Sequence, residues 1–118
     1  MRLDHVQIAI PPGSEPACRA FWVGLLGLTE IRKPEAMRGR GGLWLALGAQ
    51  ALHLGVEEGH RPARKAHPAF AVDDLDVLAD RLAAAGHPPR WDDALAGRRR
   101  FYADDPAGNR IEFMEGTT

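Results

Sequence analysis

This chain of 118 residues is poor in cysteine, in net charge and in long apolar runs. Its single cysteine, Cys18, excludes an intrachain disulfide and a thiolate-rich metal site. With 15 basic and 16 acidic residues the formal net charge is −1, so no global field attracts nucleic acid or an anionic membrane. No apolar run approaches the roughly 20 residues of a membrane span, and the first segment is strand-like and unlike a signal peptide. We therefore expect a cytoplasmic globular protein that binds neither nucleic acid nor membrane, with any metal held by histidine and carboxylate.

The hydrophobic pattern indicates the same order of strands and helix twice. In the first half, alternation predicts strands over 3–10, 28–33, 43–47 and 51–56, and helical spacing predicts a helix between Ser14 and Gly27. In the second half the predicted strands cover 67–72, 90–91, 98–103 and 110–115, and Asp73 or Asp74 caps a helix that ends at Gly86. A polar segment with glycine and proline, residues 58–65, separates the halves.

Fixed offsets make this internal repeat testable. Two pairs of residues are 62 positions apart and two are 59 apart, and one three-residue deletion in the second copy explains both values. The pairs are His5 with His67, Ile10 with Val72, Gly27 with Gly86, and His53 with Glu112. We predict a single α+β domain of two βαβββ modules, about 1–57 and 66–116, whose mixed sheet curves around a cavity.

The repeat places four metal-ligand side chains at matched positions. His5 corresponds to His67, and His53 corresponds to Glu112, each on the strand face opposite the hydrophobic residues. Three imidazoles and a carboxylate suit Zn, Ni, Co, Fe or Mn, while Mg or Ca would prefer more oxygen. The alternative is that each is a hydrogen-bonded structural residue, the commoner role of a single strand histidine. His60 and His87 fall in the linker and after a helix end, so we expect both on the surface.

Three motifs carry a resemblance to a known family. They are Leu-Asp-His-Val at 3–6, Ala-His-Pro-Ala-Phe-Ala-Val-Asp-Asp-Leu at 66–75, and Asp-Pro-Ala-Gly-Asn-Arg-Ile-Glu-Phe at 105–113. Over nearly its whole length the sequence resembles the vicinal oxygen chelate superfamily, which includes glyoxalase I, fosfomycin- and bleomycin-resistance proteins and extradiol dioxygenases. The resemblance implies metal ligands at His5, His67 and Glu112. His53 fills the fourth position, where glyoxalase I typically has a carboxylate.

The resemblance also implies a function. Members bind two neighbouring oxygens of a small substrate to the metal, and chains with one repeat pair commonly form homodimers. Glu112 and His53 are the candidate catalytic residues for proton transfer. The implied reaction is that of a glyoxalase-like lyase or isomerase, a dioxygenase or a resistance-type transferase. The alternative function is a metal-free protein of the bleomycin-resistance type that sequesters a drug.

Several other side chains are candidates for contact with substrate. Gln7, Trp44, Trp91 and Tyr102 could line the cavity, although tryptophan at such positions is more often part of the core. Among the three consecutive arginines at 98–100, alternation directs at least one to solvent, and Arg100 is the candidate for an inward clamp on a substrate carboxylate or phosphate. Cys18 lies on the apolar helix face, which indicates a packed thiol.

Overall fold

The computed structural model describes residues 1–116 and divides the chain into two compact units. The first unit is Met1–Pro62 and the second begins at Ala63. Each unit contains one four-stranded mixed sheet, and the two sheets have the same strand order. The predicted α+β fold of two βαβββ repeats is confirmed. Within the described residues, the helices are too short or too polar to cross a bilayer.

The first unit builds its sheet in the order β1-β4-β3-β2. Strand β1 runs parallel to β4, and the other neighbours are antiparallel. The elements are β1 (His5–Ile10), α1 (Glu15–Arg19), a π-helical continuation (Ala20–Leu25), β2 (Thr29–Ile31), a 3-10 turn (Glu35–Arg40), β3 (Leu43–Leu47) and β4 (Gln50–Val56).

The helix of the first unit widens where the sequence predicted a regular α-helix. Beyond Arg19 the backbone N–H of Leu26 donates to the Phe21 carbonyl, five residues back, at 2.9 Å. The wide turn buries both Phe21 and Trp22, which are adjacent in sequence. Gly27, with φ +78°, ends the segment as predicted. Two other expectations need correction: the strand over 28–33 is limited to β2, and part of the loop over 38–42 belongs to the 3-10 turn.

The second unit repeats this topology in the order β5-β8-β7-β6. Its elements are β5 (Ala69–Val72), α2 (Leu75–Ala84), β6 (Arg90–Asp92), β7 (Arg100–Asp104) and β8 (Arg110–Glu115). Strand β5 begins at Ala69 and not at His67, because Pro68 has no N–H to donate to the ladder. The Pro68 carbonyl still accepts from the Glu112 N–H at 3.0 Å, so His67 remains beside β8. Likewise β7 begins at Arg100 and not at 98.

Helix α2 forms as the sequence predicted. The Asp74 carboxylate accepts a hydrogen bond from the Val77 N–H at 3.1 Å, which identifies Asp74 as the cap. Leu75, Ala79 and Leu82 are buried at the spacing of one helix face. Gly86, with φ +86°, follows the last turn.

The strand register confirms the repeat. Gln7 lies opposite His53 across β1 and β4, and Ala69 lies opposite Glu112 across β5 and β8. The offsets of 62 and 59 positions relate these two pairs to each other. On the neighbouring strands, Trp44 lies opposite His53 and Tyr102 lies opposite Glu112. Each unit therefore places one aromatic side chain beside one candidate ligand.

The other face of each sheet belongs to the hydrophobic core. In the second unit, alternation along β8 places Ile111 and Phe113 on one face, and both are buried with Phe101 of β7. In the first unit the buried hydrophobic residues of the strands are Ile10, Leu43, Leu45, Leu52 and Leu54. The polar candidates consequently share the face that the aliphatic core does not use.

The turn before β8 is held by a buried carboxylate. One Asp105 oxygen accepts from the N–H groups of Ala107 and Asn109, at 3.0 and 2.8 Å, and the other accepts from the Asn109 side-chain amide at 3.2 Å. Gly108, with φ +81°, supplies the left-handed backbone that closes the turn. This turn fixes the register in which β8 leaves β7, and a slip of one residue would direct Glu112 to the opposite face.

We predict that Asp105→Ala lowers the free energy of unfolding by about 1–3 kcal/mol, because buried N–H groups lose their acceptor. Asp104→Ala is the matched control, since the Asp104 side chain is half-exposed and pairs with exposed Arg90; it should cost about 1 kcal/mol or less. Urea denaturation of both variants measures the difference. Equal losses would contradict the role assigned to Asp105.

Candidate functional site

In the first unit, three rings are stacked on the polar face of the sheet. The His53 ring lies between the indole of Trp44, with ring centroids 4.0 Å apart and planes 4° apart, and the His5 ring, at 4.2 Å and 20°. His53 is 8% exposed. Gln7 lies beside this stack in register with His53, and its side-chain amide lies over Gly55, where a Cβ would come within 2.6 Å of it. Stacking from both sides fixes the plane of the His53 ring.

The proton positions on His5 follow from its neighbour. Its Nδ1 lies 2.9 Å from the Asp4 carboxylate, which can only accept, so Nδ1 donates and Nε2 is the nitrogen left for another partner. Asp4 stands next to His5 in sequence, but sequence reasoning gave it no role. A histidine with one N–H anchored on oxygen and the other nitrogen open is the usual arrangement of a metal ligand.

Burial controls the protonation of His53. Desolvation lowers the pKa of the His53 imidazole below its ordinary value, and the neighbouring His5 lowers it further, while Asp4 acts in the opposite direction. The neutral form, which has a lone pair on one nitrogen, is thereby favoured near pH 7. Ligation of a metal and acceptance of a proton both require that lone pair.

In the second unit, His67 and Glu112 are in direct contact. His67 Nε2 lies 2.8 Å from Glu112 Oε1, although 45 residues separate them in sequence. Glu112 is only 4% exposed, so its carboxylate depends on neighbouring groups rather than on bulk water. The Tyr102 ring lies edge-on to His67, with centroids 5.2 Å apart.

The hydrogen bonding of His67 leaves the Glu112 contact incomplete without a positive charge. His67 Nδ1 lies 2.8 Å from the Lys65 carbonyl oxygen, which can only accept, so Nδ1 carries a proton. In a neutral ring Nε2 would then be an acceptor, facing the acceptor Oε1. Such a contact is stable only with a proton or a cation between the two atoms. A proton shared between Nε2 and Oε1, or a cation bound to both atoms, therefore completes the contact.

Two guanidinium groups lie beside Glu112 and Tyr102. Arg100 Nη1 donates to Glu112 Oε2 at 3.2 Å, and Nη2 lies 3.6 Å from Asp92. The Arg110 guanidinium lies 4.1 Å from the centroid of the Tyr102 ring. Sequence reasoning placed Arg110 on the face of Glu112 but gave it no role. The two other arginines of the 98–100 run bind elsewhere: Arg99 pairs with exposed Asp76, and Arg98 donates to the Glu115 carbonyl.

The structure therefore brings the four candidate ligands together as two pairs, His5 with His53 and His67 with Glu112. Among residues 1–116, no group of three or more His, Cys, Asp or Glu side chains is placed to hold a metal ion. The joint site of all four residues remains a prediction. The thiol of Cys18 is buried in the helix of the first unit, as expected.

Two histidines that we expected on the surface are more buried than predicted. The His60 side chain is only 4% exposed, and its Nδ1 lies 3.7 Å from Glu57, so its position in a polar linker did not indicate its burial. His87 is half-buried, with Nδ1 donating to the Asp104 carbonyl.

An open cavity of about 620 Å³ is lined by residues 91–93 and 95–100. Trp91 borders this cavity and is 48% exposed, whereas Glu112 does not line it.

Comparison with known proteins identifies the family. The model of the Glyoxalase/Bleomycin resistance protein/Dioxygenase superfamily matches residues 2–113. The chain belongs to this superfamily. Its fold and motifs are those of the vicinal oxygen chelate proteins, as the resemblance implied. Among curated proteins, none matches the chain significantly.

Three solved structures illustrate the relationship. A glyoxalase family protein from Bacillus anthracis is 45% identical, with a TM-score of 0.93 over 99% of this chain and 96% of that one. Lactoylglutathione lyase from Agrobacterium tumefaciens is 24% identical, with a TM-score of 0.69 over 94% and 92%. A variant of the fosfomycin resistance protein FosX from Listeria monocytogenes, in complex with Mn(II) and 1S,2S-dihydroxypropylphosphonic acid, is 16% identical, with a TM-score of 0.81 over 98% and 92%. The last two share the fold.

The residues of this vicinal oxygen chelate protein fit a divalent metal. His67 Nε2 and Glu112 Oε1 are the two atoms that would hold the ion in the second unit, and they already face each other. Both His5 and His67 anchor Nδ1 on an oxygen, which directs Nε2 away from that oxygen, and Nε2 of His67 faces Glu112. Imidazole and carboxylate together suit a borderline divalent ion.

The lowered pKa of His53 predicts a specific pH dependence of stability. The unfolded chain binds a proton at His53 more readily than the folded chain does. The free energy of unfolding of the metal-free protein should therefore be maintained above the ordinary histidine pKa of about 6.5 and should decrease as the pH falls below it. In His53→Asn this contribution is removed, so the decrease between pH 7 and pH 5 should be smaller. Urea denaturation at a series of pH values with a chelator present measures both slopes, and identical slopes would contradict the prediction.

Proposed function

We propose that this protein is a metal-dependent enzyme of the vicinal oxygen chelate type, acting on a small substrate that presents two neighbouring oxygens. The observation that carries the proposal is the contact of 2.8 Å between His67 Nε2 and Glu112 Oε1, with the other His67 nitrogen anchored on the Lys65 carbonyl. A pair of this kind needs a proton or a cation between its atoms, and in this proposal a divalent ion would take that place.

The ligands in this proposal are His5, His53, His67 and Glu112. Each pair already has its ligand atoms oriented by neighbours: Asp4 and Trp44 in the first unit, and the Lys65 carbonyl and Arg100 in the second. The chemistry of three imidazoles and one carboxylate favours Zn, Ni, Co, Fe or Mn. When bound, the ion acts as a Lewis acid that polarises the two substrate oxygens and stabilises negative charge developing on them.

His53 and Glu112 are the residues that we propose for proton transfer. His53 is mainly neutral near pH 7, because its pKa is lowered by burial. Its one lone pair can bind the metal, or it can accept a proton from the substrate while His53 is not bound to the metal. Glu112 is buried, and its oxygens face His67 and Arg100, so its charge is held at a defined position. Trp44 keeps the His53 ring in one plane, which limits the direction in which its lone pair can point.

Gln7, Trp44, Arg100 and Tyr102 are the residues that we propose for substrate binding. The Nε–H of Arg100 is buried and has no acceptor among residues 1–116, so it is a donor available to a carboxylate or phosphate oxygen of the substrate. Trp44 and Tyr102 offer aromatic surface beside the two ligand pairs. Gln7 adds an amide next to His53.

The reaction classes in best agreement with this site are a glyoxalase-like lyase or isomerase reaction and a resistance-type transfer to the substrate. Solved neighbours with the same fold include a protein named lactoylglutathione lyase and a fosfomycin resistance protein. We propose that the chain works as a homodimer in the cytoplasm, since members of the superfamily commonly form dimers.

The proposal predicts that Glu112→Gln weakens Mn²⁺ or Zn²⁺ binding by about 100-fold or more. Loss of a partner outside the ligand set typically lowers metal affinity by about 10- to 100-fold, and loss of a ligand should cost at least as much. Glu115→Gln is the matched control, because Glu115 alternates to the opposite face of β8 and receives the Arg99 N–H. Its metal affinity should remain at the wild-type value. Isothermal titration of chelator-treated protein gives both affinities.

Two results would contradict the proposal. One is a wild-type protein that retains no divalent metal on purification and binds none on titration, which would favour the drug-sequestering alternative. The other is an equal loss of affinity in the two glutamine variants, which would mean that the carboxylate of Glu112 is not a ligand.

A further inference from the structure

The two oxygens of Glu112 have different neighbours. Oε1 lies 2.8 Å from His67 Nε2, whereas Oε2 accepts a hydrogen bond from Arg100 Nη1 at 3.2 Å. The carboxylate is 4% exposed, so little bulk water competes for either oxygen. One oxygen is therefore directed to the candidate ligand and the other to a fixed cation.

Besides the hydrogen bond to Glu112, two contacts hold Arg100 in place. Its Nη2 lies 3.6 Å from Asp92 on the neighbouring strand β6, and its guanidinium lies 5.7 Å from the centroid of the Tyr102 ring. Its side chain is 21% exposed. A planar guanidinium bound on both sides by carboxylates has little freedom to leave Oε2.

We infer that Arg100 is a positioning residue that restricts Glu112 to one-oxygen binding of the metal and thereby sets which metal the site prefers. This inference rests on the proposed function, since it assumes that Glu112 is a ligand. Ca²⁺ uses six to eight oxygen ligands and often takes both oxygens of a carboxylate. A Glu112 whose second oxygen belongs to Arg100 cannot offer that mode. Ions of the Mn²⁺ and Zn²⁺ group, which accept imidazole and a single carboxylate oxygen, do not need it.

Arg100→Met tests the inference, because methionine is unbranched and apolar and cannot donate to Oε2. The affinities for Mn²⁺ and Ca²⁺ are measured on chelator-treated protein, Mn²⁺ by its paramagnetic resonance signal and Ca²⁺ by its displacement of bound Mn²⁺. The ratio of the two affinities should move toward Ca²⁺, because Oε2 of Glu112 has lost its hydrogen-bond donor. Loss of a partner outside the ligand set usually changes the affinity for one metal by about 10- to 100-fold, which sets the scale of the expected change. A merely structural role would weaken both ions alike and leave the ratio unchanged.

Two further variants define the effect. Arg99→Met removes the neighbouring arginine, which pairs with exposed Asp76, and should leave the ratio unchanged. Arg100→Lys retains a cationic donor for Oε2 and should keep a ratio close to that of the wild type. A shift as large in Arg99→Met or in Arg100→Lys as in Arg100→Met would overturn the inference.

The wild-type protein gives a second measurement that needs no variant. The infrared difference spectrum on Mn²⁺ binding separates one-oxygen from two-oxygen carboxylate binding by the spacing of the two carboxylate stretching bands. The wide spacing of one-oxygen binding is expected, and the narrow spacing of two-oxygen binding would overturn the inference. If the wild type binds neither ion, the proposed function is overturned together with it. If it binds Mn²⁺ but Arg100→Met leaves the ratio unchanged, only the role of Arg100 is overturned.

Discussion

In each unit, the parallel pairing of the first strand with the last strand is the constraint on which the site depends. Strand β1 pairs with β4 and β5 pairs with β8, so residues more than 40 positions apart become neighbours. This pairing brings His53 to the His5 ring and Glu112 to the His67 ring. Short antiparallel hairpins complete each sheet, and they add Trp44 and Tyr102 beside the same residues. A slip of one residue in either parallel pair would turn the ligand side chains toward the hydrophobic face.

The two units hold equivalent pairs of candidate ligands in different electrostatic surroundings. In the first unit the candidate ligands are two imidazoles, stabilised by stacking on Trp44 and by the Asp4 carboxylate. In the second, a buried carboxylate is surrounded by His67 and by Arg100. Burial favours the neutral form of His53 in the first pair, whereas the Glu112 carboxylate of the second pair faces the Arg100 guanidinium. Imidazole and carboxylate ligands together suit metals that accept nitrogen as readily as oxygen.

Much of this architecture could be predicted from the sequence, because it depends on periodicity and on repeated spacing. The equivalence of His53 and Glu112 follows from an offset of 59 positions, and the register of the strands agrees with it. The strand starts at 3, 67 and 98 were wrong by two residues. For the last two, a proline at 68 and a turn with Gly97 at φ +78° delay the regular ladder. Alternation predicts which face a side chain takes, and it does so for Arg110 as well as for Glu112.

Contacts that depend on the reach of side chains could not be predicted in this way. Alternation separates Arg99 from Arg98 and Arg100, but it does not indicate that Arg100 reaches Glu112, since that depends on where β7 begins. The stacking of His53 between Trp44 and His5 depends on rotamers as well as on register. The burial of His60 in a polar linker depends on how the chain folds back after Glu57, which composition does not describe.

The central proposal is that His5, His53, His67 and Glu112 are ligands of a divalent ion. X-ray absorption spectroscopy of the Zn²⁺- or Co²⁺-loaded protein tests it most directly, because multiple scattering from imidazole rings counts the histidine ligands. The account predicts three imidazole ligands with oxygen in the remaining positions, and two imidazole ligands in His53→Asn. A spectrum with at most one imidazole in the wild type, or one that His53→Asn leaves unchanged, would contradict it.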